Sequence, residues 1–150
     1  MSSNVKIILK NRKAYFNYEI LDKHEAGLVL FGMEVKSLRE GKVSINEAFA
    51  RPSDGELFIY QMDIAVYKNA RADGYQPKRP RKLLLHKNEI ARLIGRIMEK
   101  GLTLIPLALY FKDGIAKLEL GLARGKKLYD KRESLKEKSV QRDIQKAMKR

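Results

Sequence analysis

The chain has few of the residues that build metal, redox or nucleophilic sites. It contains no cysteine, and His24 and His86 are its only histidines among 150 residues. The absence of cysteine excludes disulfides, thiolate catalysis and cysteine-based zinc sites, and two histidines do not make a histidine-rich metal site. We therefore expect no metal and no cofactor. A chain without cysteine also suits a reducing compartment.

Long apolar runs and catalytic motifs are missing as well. The N-terminal segment has one short apolar run, Val5 to Leu9, which Lys6 interrupts, whereas a signal peptide needs a longer run. No stretch has the length of a membrane span. The sequence contains no GxSxG, P-loop or GxGxxG motif. We therefore expect a soluble, cytosolic protein that is not an enzyme and has no membrane partner.

What the chain has in excess is positive charge. It carries 32 Lys and Arg against 18 Asp and Glu, a formal net charge of +14, while apolar residues make up 44% of it. That apolar content predicts a folded core. A charge this large repels itself unless a polyanion compensates it. The pattern favours a nucleic-acid partner, and a well-solvated basic protein without such a partner is the alternative.

The positive charge divides the chain into two parts. Residues 1–123 hold 21 basic and 14 acidic residues, and residues 124–150 hold 11 basic and 4 acidic residues, so each part has a net charge of +7. This predicts an RNA-binding body over 1–123 and a basic tail over 124–150. The apolar stripe of the tail is thin, so we expect disorder in the free protein and a helix against an RNA surface. A solvated C-terminal helix packed on the body is the alternative.

The body has the pattern of a β-rich single domain. Apolar alternation and turn residues predict strands at Leu28–Phe31, Asn46–Arg51, Glu56–Met62, Leu102–Phe111 and Ile115–Ala123, with Ile64–Tyr67 continuing the sheet. Helical spacing predicts helices at Met33–Glu40 and between Asn88 and Gly101. There is no alternation of strands and helices, and closure into a barrel would remove exposed strand edges. The expected fold is mainly β with flanking helices, an OB-fold-like antiparallel β-barrel plus a flexible basic C-terminal tail.

Three clusters combine cations with aromatic rings or with a proline-rich loop. Residues 11–18 mix cations with Tyr15, Phe16 and Tyr18, which suits phosphate binding and base stacking, unless the rings belong to the core. Residues 71–82 form a predicted loop because two prolines oppose regular pairing. Residues 126–132 place Tyr129 between basic pairs, where stacking on a base is favoured. The candidate RNA-binding residues in these clusters are Asn11, Arg12, Lys13, Arg81, Lys82, Lys126, Lys127, Tyr129, Lys131 and Arg132.

Six short strings follow one another along the chain. They are Asn11–Ala14, Glu25–Gly27, Glu34–Arg39, Arg81–His86, Lys100–Thr103 and Gly125–Arg132. Each string alone is a weak signal, but the six in this order resemble the bacterial SmpB family, the small proteins that bind tmRNA. The resemblance extends from about residue 5 to the end of the chain. It implies an OB-like barrel that binds the tRNA-like domain of tmRNA at its elbow.

The resemblance also implies a place on the ribosome. With tmRNA, members of the family enter ribosomes stalled on messages without a stop codon, and the body occupies the small-subunit decoding centre. The tail becomes helical in the empty message channel. Trans-translation then tags the nascent chain and frees the ribosome. The partners expected for this chain are therefore tmRNA and the ribosome.

Several residues take their expected roles from the resemblance alone. Glu25, Leu84 and His86 match positions that contact tmRNA, and Lys36 lies in a matched string. Asp130, Lys131 and Arg132 match the tail motif that is needed for tagging after tmRNA has bound, and Tyr129 stands where the family has a His or an aromatic residue suited to stacking on a ribosomal base. The tail residues expected in the decoding centre are therefore Lys126, Lys127, Tyr129, Asp130, Lys131 and Arg132. A glutamate in an RNA surface accepts hydrogen bonds from bases or 2′-hydroxyls, so Glu25 is expected to read those groups rather than phosphate.

The sequence departs from the family in one place and leaves rivals open. Gly74–Pro77 reads Gly-Tyr-Gln-Pro where family members often have Asn-His-Asp-Pro, so contacts of that His or Asp are not transferred. Some members have Asn where His86 stands, and both side chains form hydrogen bonds. The alternatives are a general single-strand RNA-binding or ribosomal protein, and an RNA-processing enzyme, for which no candidate catalytic residue is present.

Overall fold

A computed structural model describes residues 4–68, 73–99 and 101–126, in which strands predominate and helices are few. The strands in these ranges are β1 Val5–Lys10, β2 Tyr18–Leu28, β3 Val43–Ser44, β4 Phe49–Ser53, β5 Glu56–Tyr60, β6 Asp63–Ile64, β7 Arg81–Leu84, β8 Leu102–Lys112 and β9 Ile115–Gly125. The helices are α1 Arg12–Asn17, α2 Gly32–Arg39 and α3 Lys87–Ile97.

The main sheet has seven antiparallel strands and closes on itself. Its order is β1-β8-β4-β5-β7-β2-β9, and β9 also pairs with β8. Six of the strands therefore form a ring, and β1 is added to β8 beside it. Strands β3 and β6 form a separate small sheet. The mainly β fold with flanking helices is confirmed, and closure leaves few strand edges open.

The β8–β9 hairpin is the longest paired segment and supplies much of the core. Asp113 and Gly114 turn the chain with φ angles of 51° and 81°, the left-handed values that a two-residue hairpin turn requires. The inward side chains are fully buried leucines, with Leu118 and Leu120 on β9 facing the interior. The predicted strand pair and its Asp-Gly turn are confirmed, because both signals are local in the sequence.

Helix α3 covers one end of this core. Leu93 is buried, and Ile90, Ile94 and Ile97 pack against the same cluster, as the helical spacing predicts. Met98 is the exception, since it lies beyond the last residue of the helix and is 77% exposed. The helix begins after His86 rather than after Asn88.

Four predictions about strands and loops differ from the structure. The strand expected at Leu28–Phe31 ends at Leu28, because the Glu34 carboxylate accepts the Phe31 N–H at 2.8 Å and starts α2 there. The strand predicted at Asn46–Arg51 is β4, which begins three residues later. Of the segment Ile64–Tyr67, which was predicted to continue the main sheet, only Ile64 belongs to a strand, β6, and β6 pairs with β3 outside that sheet. The predicted 71–82 loop ends earlier, because Arg81 and Lys82 pair with β5 as the start of β7.

Candidate nucleic-acid interface

Glu25 lies on the outer face of β2 as an oriented, partly exposed carboxylate. Its Oε2 accepts a hydrogen bond from the Tyr110 hydroxyl at 2.5 Å, and its Oε1 lies 3.4 Å from Lys112 Nζ. The hydrogen bond from Tyr110 lowers the pKa of Glu25 most, with further lowering by Lys112 and Lys117. The side chain is 38% exposed. Glu25 is therefore an ionised acceptor that faces solvent at neutral pH.

A groove of about 620 Å³, which we call the Glu25 groove, lies in front of this carboxylate. It is formed where β1, α1, β2, β8 and β9 meet. Its charged lining residues are four cations and two carboxylates, namely Lys10, Arg12, Lys23, Lys112, Glu25 and Glu119. Exposed apolar side chains of Val5 and Ile7 line it as well. The groove thus combines positive charge for phosphates with acceptors and apolar surface for bases and sugars.

A second groove, the Leu84 groove, begins on the other side of Glu25. It has a volume of about 530 Å³, and Glu25, Leu84 and His86 all line it. Leu84 is 49% exposed. Gly27 and Leu84 are cross-strand partners, and a Cβ on Gly27 would lie 3.3 Å from the Leu84 Cβ. The fold therefore brings Glu25, Leu84 and His86 to one continuous surface.

His24, the neighbour of Glu25, points to the opposite side of β2. Its Nε2 lies 3.0 Å from Asp22 Oδ2, and its Nδ1 lies 3.7 Å from Glu89 Oε2 on α3. Adjacent side chains on a strand face opposite ways. His24 and Glu25 thus do not form an acid–base pair, as expected for an extended segment, and His24 helps to hold α3 on the sheet.

The predicted cluster at residues 11–18 divides between structure and surface. Asn11 is 3% exposed, accepts the Ala14 N–H and donates from Nδ2 to the Pro106 carbonyl at 2.9 Å, so it caps α1 and fastens it to β8. Arg12 lines the Glu25 groove, whereas the exposed Lys13 lines a separate depression beside α1. Tyr15 is 46% exposed, and the Lys23 ammonium lies 5.5 Å from its ring centroid.

Arg81 is a structural residue and not a surface cation, which corrects its prediction as an RNA contact. It is completely buried, and its guanidinium contacts both Glu34 Oε2 and the Met62 carbonyl. Burial opposes the charge of Glu34, but hydrogen bonds from Arg79, the Phe31 N–H and Arg81 outweigh it and lower the pKa of Glu34. A guanidinium with this set of buried acceptors is not available to a ligand.

The Gly74–Pro77 segment contributes to the same buried network. Tyr75 places its hydroxyl 3.1 Å from Glu34 Oε2 and 2.9 Å from the Ile64 carbonyl, and it accepts a hydrogen bond from Arg81 Nη2. Tyr75 therefore anchors its segment to the buried Glu34.

Lys36 and Lys82, two further predicted cations, line neither groove. The Lys36 ammonium lies 5.5 Å from the ring centroid of Tyr67. Lys82 pairs with Glu56 at 2.9 Å on the neighbouring strand β5. Both remain partly or fully exposed, so their assignment to an RNA contact stays a prediction.

The tail begins next to α1. The Lys126 N–H donates to the Asn17 carbonyl at 2.9 Å, and its Nζ donates to the Tyr15 carbonyl at 3.1 Å. The other predicted tail residues, Lys127, Tyr129, Asp130, Lys131 and Arg132, lie outside the described residues. Strand β9 extends to Gly125, two residues beyond the predicted end of the body.

Tyr110 and Lys112 are site residues that the sequence analysis did not single out. Their signal was the alternation of β8, which puts residues 110 and 112 on one face. That signal does not reveal which distant residue they meet, and Glu25 is 85 positions from Tyr110.

Within the described ranges, no helix is long and apolar enough to span a membrane.

Comparisons with known proteins agree on one family. The family model described as "SmpB protein" matches residues 8–150. An SsrA-binding protein from Carboxydothermus hydrogenoformans is 56% identical over 143 residues, which is 95% of this chain and 96% of the relative. An SsrA-binding protein from Gloeobacter violaceus is 54% identical over 97% of this chain and 95% of its own length. A solved chain, described as "tmRNA-SmpB: a journey to the center of the bacterial ribosome", matches with a TM-score of 0.67 and 54% identity, covering 80% of this chain and 85% of its own.

Proposed function

This chain belongs to the SmpB family, and we propose that it is a cytosolic adaptor that binds the tRNA-like domain of tmRNA and delivers it to stalled ribosomes for trans-translation. One observation carries the proposal. Glu25, Leu84 and His86 line one groove, and Glu25 also lines a second groove that contains four cations. Two comparisons support the proposal. The relatives are called SsrA-binding proteins, and the description of the solved chain names tmRNA, SmpB and the bacterial ribosome.

The chemistry of the two grooves fits a folded RNA better than a bare phosphate chain. Cations such as Arg12 and Lys112 neutralise phosphates, which supplies affinity without reading sequence. An ionised Glu25 repels phosphate and accepts hydrogen bonds only from base edges and 2′-hydroxyls. The exposed Leu84 offers an apolar surface to an unstacked base. Together these groups favour an RNA whose bases are turned outward, as they are where loops meet at an elbow.

The proposed division of labour assigns tmRNA binding to the body and ribosome engagement to the tail. In this scheme Lys126, Lys127, Tyr129, Asp130, Lys131 and Arg132 act in the decoding centre and at the entrance of the message channel. The body ends in β9 next to α1, and α1 carries Arg12 and Tyr15 into the Glu25 groove. The tail thus starts beside the proposed tmRNA surface. We propose no catalytic activity for the chain itself.

Competition binding separates this function from general single-strand RNA binding. We expect the full chain at physiological salt to prefer the tRNA-like domain over an unstructured RNA of equal length by at least about a hundredfold, since specific nucleic-acid binding exceeds non-specific binding by 10³ or more in typical cases. Equal affinity for the two RNAs would refute the proposal.

Point variants locate the interface. Glu25→Ala and Leu84→Ala should each weaken binding of the tRNA-like domain about tenfold or more, because each removes a contact of about 1–3 kcal/mol. Glu40→Ala is the matched control, since Glu40 is also partly exposed but pairs with Lys42 and lines neither groove. If Glu25→Ala and Leu84→Ala bind the tRNA-like domain as tightly as Glu40→Ala and the unchanged chain do, the interface lies elsewhere.

Truncation tests the two-part scheme. A chain that ends at Leu128 should bind the tRNA-like domain nearly as well as the full chain and should not support tagging of nascent chains in a translation reaction with stalled ribosomes. Replacing Lys131 and Arg132 by Gln in the full chain is the control for chain length, and it should also abolish tagging. A truncated chain that loses tmRNA binding would contradict the division of labour.

A further inference from the structure

The Glu25 carboxylate reaches its position by leaning across a neighbouring strand. Strand β9 lies between β2 and β8, and Glu25 is opposite Glu119, which is opposite Ala108. Tyr110 is two residues further along β8, and the adjacent strands are each about 4.8 Å apart. The side chains of Glu25 and Tyr110 therefore meet above β9. A flexible glutamate holds such a position only when a partner fixes its far end.

Tyr110 is a rigid partner for this purpose. It is only 9% exposed, so packing fixes its ring, and its hydroxyl donates to Glu25 Oε2. Burial and the neighbouring carboxylate raise the pKa of Tyr110, so the hydroxyl keeps its proton and remains a donor. Lys112 lies on the same face of β8 and approaches the other carboxylate oxygen at 3.4 Å, but it is 36% exposed and its long side chain is less constrained.

We propose that Tyr110 is the positioning residue of the RNA interface, which holds the Glu25 carboxylate in one orientation so that its free lone pairs face the base or 2′-hydroxyl donors of the RNA. The inference rests on the proposed function of the Glu25 groove. Each carboxylate oxygen has about two acceptor sites. The Tyr110 hydroxyl occupies one site of Oε2, which leaves the others for a ligand. Pre-orientation removes the entropy cost of ordering the glutamate at the moment of binding.

The alternative for Tyr110 is a purely structural role in the β8–β9 region. The two roles differ in how Tyr110 and Glu25 combine. A residue that acts through Glu25 loses its effect on RNA binding once the carboxylate is gone, whereas a residue that supports the fold or contacts RNA directly keeps its effect. A double-mutant cycle measures this difference.

The test measures the dissociation constant for the tRNA-like domain with four proteins: the full chain, Tyr110→Phe, Glu25→Ala and the double variant. We expect Tyr110→Phe alone to weaken binding about tenfold, the usual scale of one hydrogen bond to a charged group. In the Glu25→Ala background, which has no acceptor for the Tyr110 hydroxyl, the same substitution should change binding less than about twofold. Tyr60→Phe is the control, because it removes a tyrosine hydroxyl from β5, outside both grooves.

A second readout is the titration of Glu25 in the free protein, followed by the NMR shift of its side-chain carboxyl carbon. The groups around Glu25 are Lys23 on its own strand, Tyr110 and Lys112 on β8, Lys117 and Glu119 on β9, and His86 and Glu89 across the Leu84 groove. Tyr110→Phe removes one of the hydrogen bonds that lower the pKa of Glu25, so the pKa should rise. Tyr60→Phe should leave it unchanged.

The outcomes are distinct. A tenfold loss that disappears in the Glu25→Ala background, together with a raised pKa of Glu25 after Tyr110→Phe alone, supports the inference. Tyr110→Phe binding as tightly as the full chain, or an effect that adds fully to that of Glu25→Ala, overturns the inference and leaves the proposed function standing. A full chain that does not prefer the tRNA-like domain overturns the proposed function and the inference together.

Discussion

Arg81 and Lys82 are adjacent in the chain and have the same charge, but they differ in what surrounds them. Arg81 is completely buried against Glu34, and the Lys82 side chain is 40% exposed and pairs with Glu56. Removing one partner of a buried ion pair leaves the other charge without compensation. Removing one partner of an exposed pair has little effect, because water screens the charges.

Arg81→Met should therefore lower the free energy of unfolding by about 3 kcal/mol, the low end of the range for a broken buried ion pair, because Arg79 still pairs with Glu34 while the Met62 carbonyl loses its donor. Lys82→Met is the matched control and should change stability by no more than about 0.5 kcal/mol. Urea unfolding followed by circular dichroism measures both. Similar stabilities for the two variants would mean that the buried pair contributes little.

The buried Glu34 also predicts a dependence on pH. The pKa of Glu34 is lowered in the folded protein, so its ionised form stabilises the fold above its ordinary value of 4.5, and this contribution is lost as the pH falls through the lowered pKa. Glu34→Gln should be less stable than the parent at pH 7, and the difference should shrink in acid.

Thermal unfolding of the two proteins between pH 7 and pH 3 checks this dependence. Glu56→Gln, which changes an exposed carboxylate in the same way, should show a small difference that hardly varies with pH. If the Glu34→Gln difference stays constant over this range, Glu34 is not the titrating group.

The assignment of single residues from sequence fails where the role of a residue depends on a distant partner. The basic content of residues 71–82 predicted a cationic RNA surface, but Arg81 is buried and meets Glu34 across 47 positions of sequence. Nothing in either segment predicts that pairing. Tyr110 escaped notice for the same reason. The resemblance implied a tmRNA contact for Glu25, Leu84 and His86, but neither it nor their spacing predicted that the three line one groove.

At the scale of elements, a glycine in the β8–β9 hairpin and a glycine in α3 differ in how closely other side chains pack against them. A Cβ on Gly121 would lie 2.8 Å from the Leu107 Cδ1, which is closer than real contacts allow. Gly95 lies on the exposed side of α3, and a Cβ there would meet nothing within 4 Å. The same substitution thus has opposite consequences in the strand and in the helix.

Gly121→Ala should destabilise the protein by about 1–3 kcal/mol, because Leu107 must leave its rotamer or the strands must separate. Gly95→Ala should stabilise it by about 0.5–1 kcal/mol, because alanine has the higher helix propensity and restricts the unfolded chain. Thermal melts of both variants give the two signs, and a destabilised Gly95→Ala would show that the helix is strained at that position.

The hairpin and α3 were the elements that sequence reasoning predicted best. The hairpin is marked in the sequence by the Asp113-Gly114 turn between two apolar strands. The helix is marked by the apolar spacing that starts at Ile90. The long strand β2 was missed, since five of its eleven residues are exposed and its apolar alternation is weak. Pairing with β9 over most of its length, and not its own sequence, makes it a strand.

At the scale of the whole molecule, charge is shared between a body with a mixed surface and a basic tail. The body spreads a net charge of +7 over 123 residues, whereas the tail, residues 124–150, carries the same net charge in 27 residues. Salt therefore affects the two parts differently. The body is expected to add hydrogen bonds and shape to the phosphate contacts of its groove cations, and the tail is expected to depend mainly on the release of counterions from phosphates.

The chain that ends at Leu128 should keep most of the salt dependence of binding to the tRNA-like domain, since that slope arises in the body. For an unstructured RNA the slope should fall by about 0.7 for each phosphate contact that the tail makes. Affinities at several salt concentrations give both slopes. Equal losses of slope with the two RNAs would place the tail on tmRNA itself.

The pairing of β1 with β8 has a consequence for how the protein is made. The Asn4 N–H bonds to the Asp113 carboxylate, 109 residues away in sequence. A ribosome that adds about 5–20 residues per second needs on the order of ten seconds after the synthesis of β1 to synthesise β8, the strand with which β1 pairs. A messenger RNA broken before the codons of β9 yields a chain whose ring cannot close. The proposed rescue factor therefore depends, for its own folding, on a ribosome that does not stall.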